Sequence, residues 1–196
     1  MDPVVIVPYR ESWAAEFNAL SARLQMALGP RALRIEHVGS TSVAGLAAKD
    51  VIDVQVSVSA LDEHVSQSLA SVGFRPELSI TGDHVPPGAA GSSEQWRKMF
   101  FIEGAGERRA NVHVRAAGRL NERYALLFRD YLRGHPSVAE AYAELKRRLS
   151  ASLARPDDYA DVKDPAVDLI YLAAEQWAAT TGWTLVPLPA GVANRA

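Results

Sequence analysis

Asp53 lies inside the apolar run 51–58, VIDVQVSV, fourteen residues after Gly39 of a Gly39-Ser40-Thr41 turn. A lone carboxylate in such a run needs a use or a partner. An open turn after a strand can aim several backbone N–H groups at a phosphate, and a hydroxyl such as Ser40 adds a further ligand. An acid beside that turn can hold Mg2+ against the same phosphate. The pattern therefore reads as a phosphate or nucleotide site. Turns of this kind also occur in ordinary loops, where Asp53 would accept hydrogen bonds from the turn or sit solvated on an open sheet face.

The other candidates carry the same two readings. His37, two residues before Gly39, either ties the turn down by hydrogen bonding or does acid/base work on a ligand. Glu36 has the opposite strand parity to His37 and is the candidate second carboxylate. Lys49 can reach a phosphate or pair with Asp50. In NVHVR, Asn111, His113 and Arg115 share one face of a strand, while Val112 and Val114 share the other; a cleft explains three polar residues facing one way, and so does a wet sheet face. One of Arg97 and Lys98 is expected to point into that cleft. Lys163, four residues after Tyr159, either reaches the cleft or pairs with Asp161 or Asp164 at a helix start.

These side chains need elements to hold them. Residues 4–7 read as a short strand closed by Pro8. Trp13, Phe17, Leu20, Leu24 and Leu28 form one face of an amphipathic helix stopped by Gly29-Pro30. Strands follow at 33–38 and 51–58. In the second, Ile52, Val54, Val56 and Val58 make the apolar face, and Asp53 points the other way. A helix fits 61–72, residues 81–93 form a long, lid-like loop, and strands near 96–102 and 110–115 are joined as a hairpin by the EGAGE segment. The period then becomes helical at 120–132, 138–153 and 165–180, the last with Asp164 as N-cap and Pro165 at the first position. The class is α+β, a mixed sheet flanked by helices with a helical C-terminal part. The aromatics Trp13, Phe17, Tyr171 and Trp177 sit at helical spacings and read as core.

Of the 196 residues 48% are hydrophobic and 22% charged, with a formal charge of -2 and no cysteine. That is ordinary globular composition, large enough for a sizeable core. Disulfides and thiolate chemistry are excluded, and a zinc site would need His and carboxylates. The balanced charge argues against nucleic acid as a partner, and no apolar run approaches a membrane span. With no signal-peptide pattern at the start, a cytoplasmic protein is expected.

The segment RIEHVGSTSVAGLAAKDVIDVQVSV, with WRKMFF and NVHVR further on, resembles the GrpB family, a domain also found fused behind dephospho-coenzyme A kinase in some bacteria. The family in turn resembles the nucleotidyltransferase superfamily, whose fold sets a glycine-serine turn and an Asp-x-Asp pair around nucleotide and metal. The resemblance implies one domain over 1–180 with a C-terminal tail at 181–196. It implies Gly39, Ser40 and Thr41 at the nucleotide, Asp53 as the first metal carboxylate, and Mg2+ or Mn2+ with a nucleoside triphosphate. Gln55 stands where a second acid is expected, and His113 and Arg115 stand on the later strand that normally brings a third. Asp53, His113 and Glu36 are then the catalytic candidates. Lys49, Gln55, Arg97, Lys98, Arg115 and Lys163 are the phosphate-binding ones. The function implied is nucleotidyl transfer from a nucleotide to a small-molecule acceptor with an incomplete acid set; the alternative is a non-catalytic module binding a nucleotide or other phosphorylated small molecule. A homo-oligomer is compatible with either. The chain has no GxxxxGK[ST] loop, so it is not itself a P-loop kinase.

Overall fold

The computed structural model describes residues 3–153, 155 and 158–188. Ten elements follow in order: α1 (Ser12–Leu28), β1 (Arg34–Val38), β2 (Ile52–Val58), α2 (Glu63–Ser71), β3 (Arg75–Pro76), β4 (Lys98–Ile102), β5 (Ala110–Ala116), α3 (Leu120–Gly134), α4 (Pro136–Ser152) and α5 (Tyr159–Thr181). The sheet order is β1-β2-β5-β4-β3. β2 and β5 run parallel and every other pair is antiparallel, so the sheet is mixed. The α+β class expected from the sequence is the one observed.

Strand alternation divides the chemistry from the core. On one face Ile52, Val54, Val56 and Val58 join Val112, Val114 and Phe101. The α1 stripe of Trp13, Leu20, Leu24 and Leu28 packs there, with Val65 and Leu69 of α2. Each such side chain, fully buried, contributes about 1.5–3 kcal/mol. Helix α2 starts later than the apolar pattern suggests, because the Asp62 carboxylate caps it by accepting the Val65 N–H at 3.0 Å.

The strand register lines up three rows on the opposite face: Val38, Asp53, Asn111 and Ile102; Glu36, Gln55, His113 and Phe100; Arg34, Ser57, Arg115 and Lys98. Helices α3, α4 and α5 carry the remaining cores, built on Val43, Leu46 and Leu132 and on Leu127, Tyr131 and Ala174. The first turn of α3 seals part of the face. Ser57 Oγ donates to Glu122 Oε1 at 2.5 Å, and Gln55 Nε2 donates to the Glu122 carbonyl at 3.2 Å.

Several expectations need correction. Residues 4–7 make no strand: Val7 forms one isolated bridge with Ala48, and Pro8 has no N–H with which to extend it. The two-residue β3 carried no alternation to read. Asp164 is not an N-cap. Helix α5 begins at Tyr159 and runs through Pro165, because Tyr159, Val167 and Tyr171 extend its buried face backward at multiples of four residues. Beyond α5 the chain stays attached, with Trp183 Nε1 donating to Asp130 at 3.2 Å; the part of the expected tail from 189 to 196 lies outside the described residues. No helix among the described residues is long and apolar enough to cross a membrane.

Candidate functional site

A cavity of about 480 Å³ opens between the polar sheet face, the Gly39 turn and helices α3, α4 and α5. Its size falls in the usual range for small-molecule sites. One wall is polar, with Ser40, Lys49, Asp53, His113 and Lys146; the other is built from Tyr124, Phe128, Tyr142 and Tyr159.

The turn and the acid are built together. Gly39 ends β1 at φ 68° and ψ -174°, a conformation that is essentially glycine's alone. It lets the chain enter the short 3-10 turn Ser40–Ser42, where Ser42 Oγ donates to the Gly39 carbonyl at 2.6 Å. Asp53 lies against that glycine and accepts from Asn111 Nδ2 at 2.9 Å. Burial pushes the Asp53 carboxyl up, but the His113 ring N–H and the Asn111 amide outweigh it and hold the group below its usual range.

A polar line runs on from Asp53. His113 Nε2 is 3.6 Å from Asp53 Oδ1, and His113 Nδ1 is 3.2 Å from Lys98 Nζ. An ammonium only donates, so Nδ1 carries the lone pair and Nε2 the proton. Burial pushes His113 down to about 4, with the Lys98 and Arg115 charges adding to the effect, so the ring is neutral near pH 7. Lys98 in turn donates to Asp83 Oδ1 at 2.7 Å, and Arg115 holds Asp83 through Nε at 2.8 Å and Nη2 at 2.9 Å.

Lys146 enters from α4. It is 3% exposed, donates to Ser40 Oγ at 2.8 Å and to the Ala47 carbonyl at 2.5 Å, and lies over the Tyr142 ring. Burial pushes its ammonium down to about 7, and the Lys163 and Arg147 charges push the same way. Lys49 Nζ stands 4.1 Å from the Tyr159 ring centroid, its pKa lowered by burial and by Lys163. Neither Lys49 nor Lys146 has a carboxylate partner among the described residues. The Tyr159 hydroxyl is buried without a hydrogen-bond partner among the described residues.

Lys146 carries a stability prediction. Between pH 7 and 10 the unfolded lysine holds a proton that the folded one has released, so stability rises with pH by up to about 1.4 kcal/mol per unit. Over pH 7–9, below tyrosine ionisation, urea unfolding of Lys146→Met is expected to show a flatter rise than wild type. An equal slope would contradict the assignment.

The GrpB protein family model matches residues 3–172. The chain belongs to the GrpB family. The solved structure of the conserved protein GrpB from Enterococcus faecalis superposes with a TM-score of 0.72 at 28% identity, covering 88% of this chain and 99% of that one. A UPF0157 protein of Halalkalibacterium halodurans is 31% identical over 85% of this chain and 80% of its own length. A dephospho-CoA kinase of Mycolicibacterium paratuberculosis is 36% identical over 92% of this chain but only 48% of its own length, so the chain spans about half of that relative.

Within this GrpB domain the structure brings together most of the residues singled out in the sequence. Gly39, Ser40, Thr41, Lys49, Asp53, Lys98, His113, Arg115 and Lys163 all line the cavity. Three do not. Glu36 is on the expected face, but it pairs with Arg129 of α3, Nη1 at 2.8 Å, and does not line the cavity. Gln55 is fully buried, its oxygen accepting from Arg115 Nη1 at 2.7 Å; it is a brace under α3 and not a ligand for phosphate. Arg97 is exposed beside Glu94, and Lys98 is the one of that pair that turns inward. His37 takes the turn-tying role. It faces the apolar side, stacks on Phe17 and hydrogen-bonds Thr41 Oγ1 at 3.0 Å. Burial pushes it down to about 4, so it stays neutral.

Sequence reasoning missed Lys146, Tyr159 as a lining group, and Asp83. Lys146 opens a Lys-Arg-Arg run that reads as a solvated helix face. Its signal was the helical phase it shares with Ala139, Tyr142 and Ala143, the buried side of α4.

Proposed function

We propose that the cleft binds a nucleotide or another phosphorylated small molecule in the cytoplasm, phosphates first, at the Gly39–Ser42 turn. The observation that carries this is the cationic excess of the cavity. Lys49, Lys98, Lys146, Lys163 and Arg115 face it, against the carboxylates of Asp53, Asp83 and Asp164. Asp83 is already consumed by Lys98 and Arg115, and Lys163 lies 3.6 Å from Asp164. Lys49 is left without a carboxylate among the described residues, and Lys146 is only partly protonated near pH 7; an anion in this half-buried space completes the first and draws a proton onto the second. The aromatic wall of Tyr124, Tyr142 and Tyr159 suits the organic part of such a ligand.

Nucleotidyl transfer is the second reading, favoured by one observation: Asp53, held ionised, borders the same cavity as the turn. There it can accept the proton or hydrogen bond of an acceptor hydroxyl. The binding reading is the better supported, because Gln55 is sealed under α3 and adds no second acid.

A thermal-shift titration tests the binding reading. Tripolyphosphate, ATP, GTP, CTP, UTP and, because of the fused relatives, dephospho-coenzyme A are expected to include compounds that raise Tm, since a ligand of the folded state must stabilise it. Adenosine, lacking phosphate, should not, and Lys146→Met should lose most of any shift. If no phosphate-bearing compound moves Tm, the reading fails.

A further inference from the structure

The nucleotidyltransferase pattern implies divalent metal held between carboxylates, and the residues present do not fit it. Asp53 is the single carboxylate at the turn. Its Oδ1 already accepts from Asn111, and its Oδ2 is packed against Gly39. The position two residues on is a neutral amide, fully buried and bonded at both ends, to Arg115 and to the Glu122 carbonyl. On the neighbouring strand the ring nitrogen nearest Asp53 is His113 Nε2, and because Nδ1 accepts from Lys98, Nε2 carries a hydrogen and offers no lone pair. The cavity's other acids are already paired with cations: Asp83 with Lys98 and Arg115, and Asp164 with Lys163 at 3.6 Å. Among the described residues no three His, Asp or Glu side chains converge on one point. Sites for hard divalent ions are made from several oxygen donors, mostly anionic, and here Asp53 is the one cavity carboxylate not already paired with a lysine or arginine among the described residues.

The same wall is rich in the opposite charge. Lys146 and Tyr159 are each 3% exposed and line the cavity. Lys146 has no carboxylate partner, and the Tyr159 hydroxyl has no partner of any kind among the described residues. A divalent cation placed beside Asp53 would share the cavity with Lys49 and Lys146, whose ammonium charges repel it. A phosphate brings the reverse. It gives the lysines their counter-charge and offers oxygens to the Ser40 and Tyr159 hydroxyls.

We propose that this cleft takes its phosphorylated ligand as the free polyanion, with Lys49 and Lys146 supplying the counter-charge in place of a divalent metal ion. The proposal rests on the phosphate-binding reading above and adds the form in which the ligand is bound. It also reverses the role of Asp53. In a metal site the carboxylate attracts the ligand through the ion; in a lysine site it repels the phosphate.

Isothermal titration of tripolyphosphate and of ATP, in EDTA and in excess Mg2+, separates the two. Wild type is expected to bind in EDTA, and to bind several-fold more weakly as Mg2+ converts the ligand to its metal complex. Asp53→Asn, nearly isosteric, is expected to bind in EDTA as tightly as wild type or several-fold more tightly. Lys146→Met should lose binding in both buffers. Binding that requires Mg2+, or binding in EDTA that weakens in Asp53→Asn, overturns the proposal while leaving the phosphate reading in place. No binding of either compound in either buffer overturns both.

Discussion

Asp83→Ala is expected to lower the free energy of unfolding by about 3–5 kcal/mol, the cost of leaving buried charges without their partner. The carboxylate is on the loop before β4, yet its side chain is only 9% exposed, with Lys98 at 8% and Arg115 at 4%. It accepts from Lys98 Nζ, from two nitrogens of Arg115 and from Asn121 Nδ2 at 3.0 Å. Removing it strands two cations under the cleft, where water reaches them poorly. Gln55 then becomes the remaining acceptor for Arg115 among the described bonds, and Lys98 loses the charge that opposes the cost of its own burial. Urea unfolding at pH 7 measures the loss. Glu94→Ala, which removes an exposed carboxylate paired with Arg97 and Arg119, is the control and should cost far less than Asp83→Ala. A small effect at both sites would show that water relaxes around Lys98 and Arg115.

The same carboxylate gives the acid limb of stability. Burial pushes Asp83 up, but the Arg115 and Lys98 charges prevail and hold it well below the usual carboxylate range. A depressed folded pKa adds stability that is fully present above the unfolded value near 4 and is lost as pH falls below it. Wild type should therefore lose stability below about pH 4 more steeply than Asp83→Ala, which has no such contribution to lose.

Strand parity made half of this site legible in the sequence. The alternation in 51–58 set Asp53 opposite the valines, and the alternation in NVHVR set Asn111, His113 and Arg115 together; the register joins the two rows as that pattern requires. Parity assigns a residue to a face, however, and not to the open part of the face. Glu36 and Gln55 share the face of Asp53, but their side chains are taken up by Arg129 and Glu122 of α3, 93 and 67 positions away. The cationic wall was hidden for the same reason. Whether Lys146 faces solvent or Ser40 depends on how α4 packs, and local spacing does not encode that. Asp83 sat in a stretch with the composition of a loose loop, and only the antiparallel bridge of Gly82 to Arg97 brings it beneath the sheet.

Gly39→Ala is expected to destabilise the fold by roughly 2–4 kcal/mol, combining backbone strain with overpacking. A methyl group at Gly39 would lie 2.3 Å from Asp53 Oδ2 and 2.9 Å from both Asp53 Cβ and Cγ. Asp53 cannot swing aside cheaply, because Asn111 holds it at 2.9 Å and the strand register fixes its Cα opposite Val38. The backbone conformation, φ 68° with ψ near 180°, is costly for alanine whatever the space. The two causes can be separated by a double-mutant cycle measured by urea unfolding. Asp53→Gly removes the three atoms nearest to the new methyl and leaves the strain. The paired variant Gly39→Ala/Asp53→Gly should therefore be more stable than the sum of the two single losses predicts, by the steric part alone. Additive losses would mean that the turn shifts away and that Gly39 and Asp53 are neighbours without being coupled. Coupling would mean that the Cβ position of residue 39 and the Asp53 side chain occupy one shared volume, so that neither can change without moving the other.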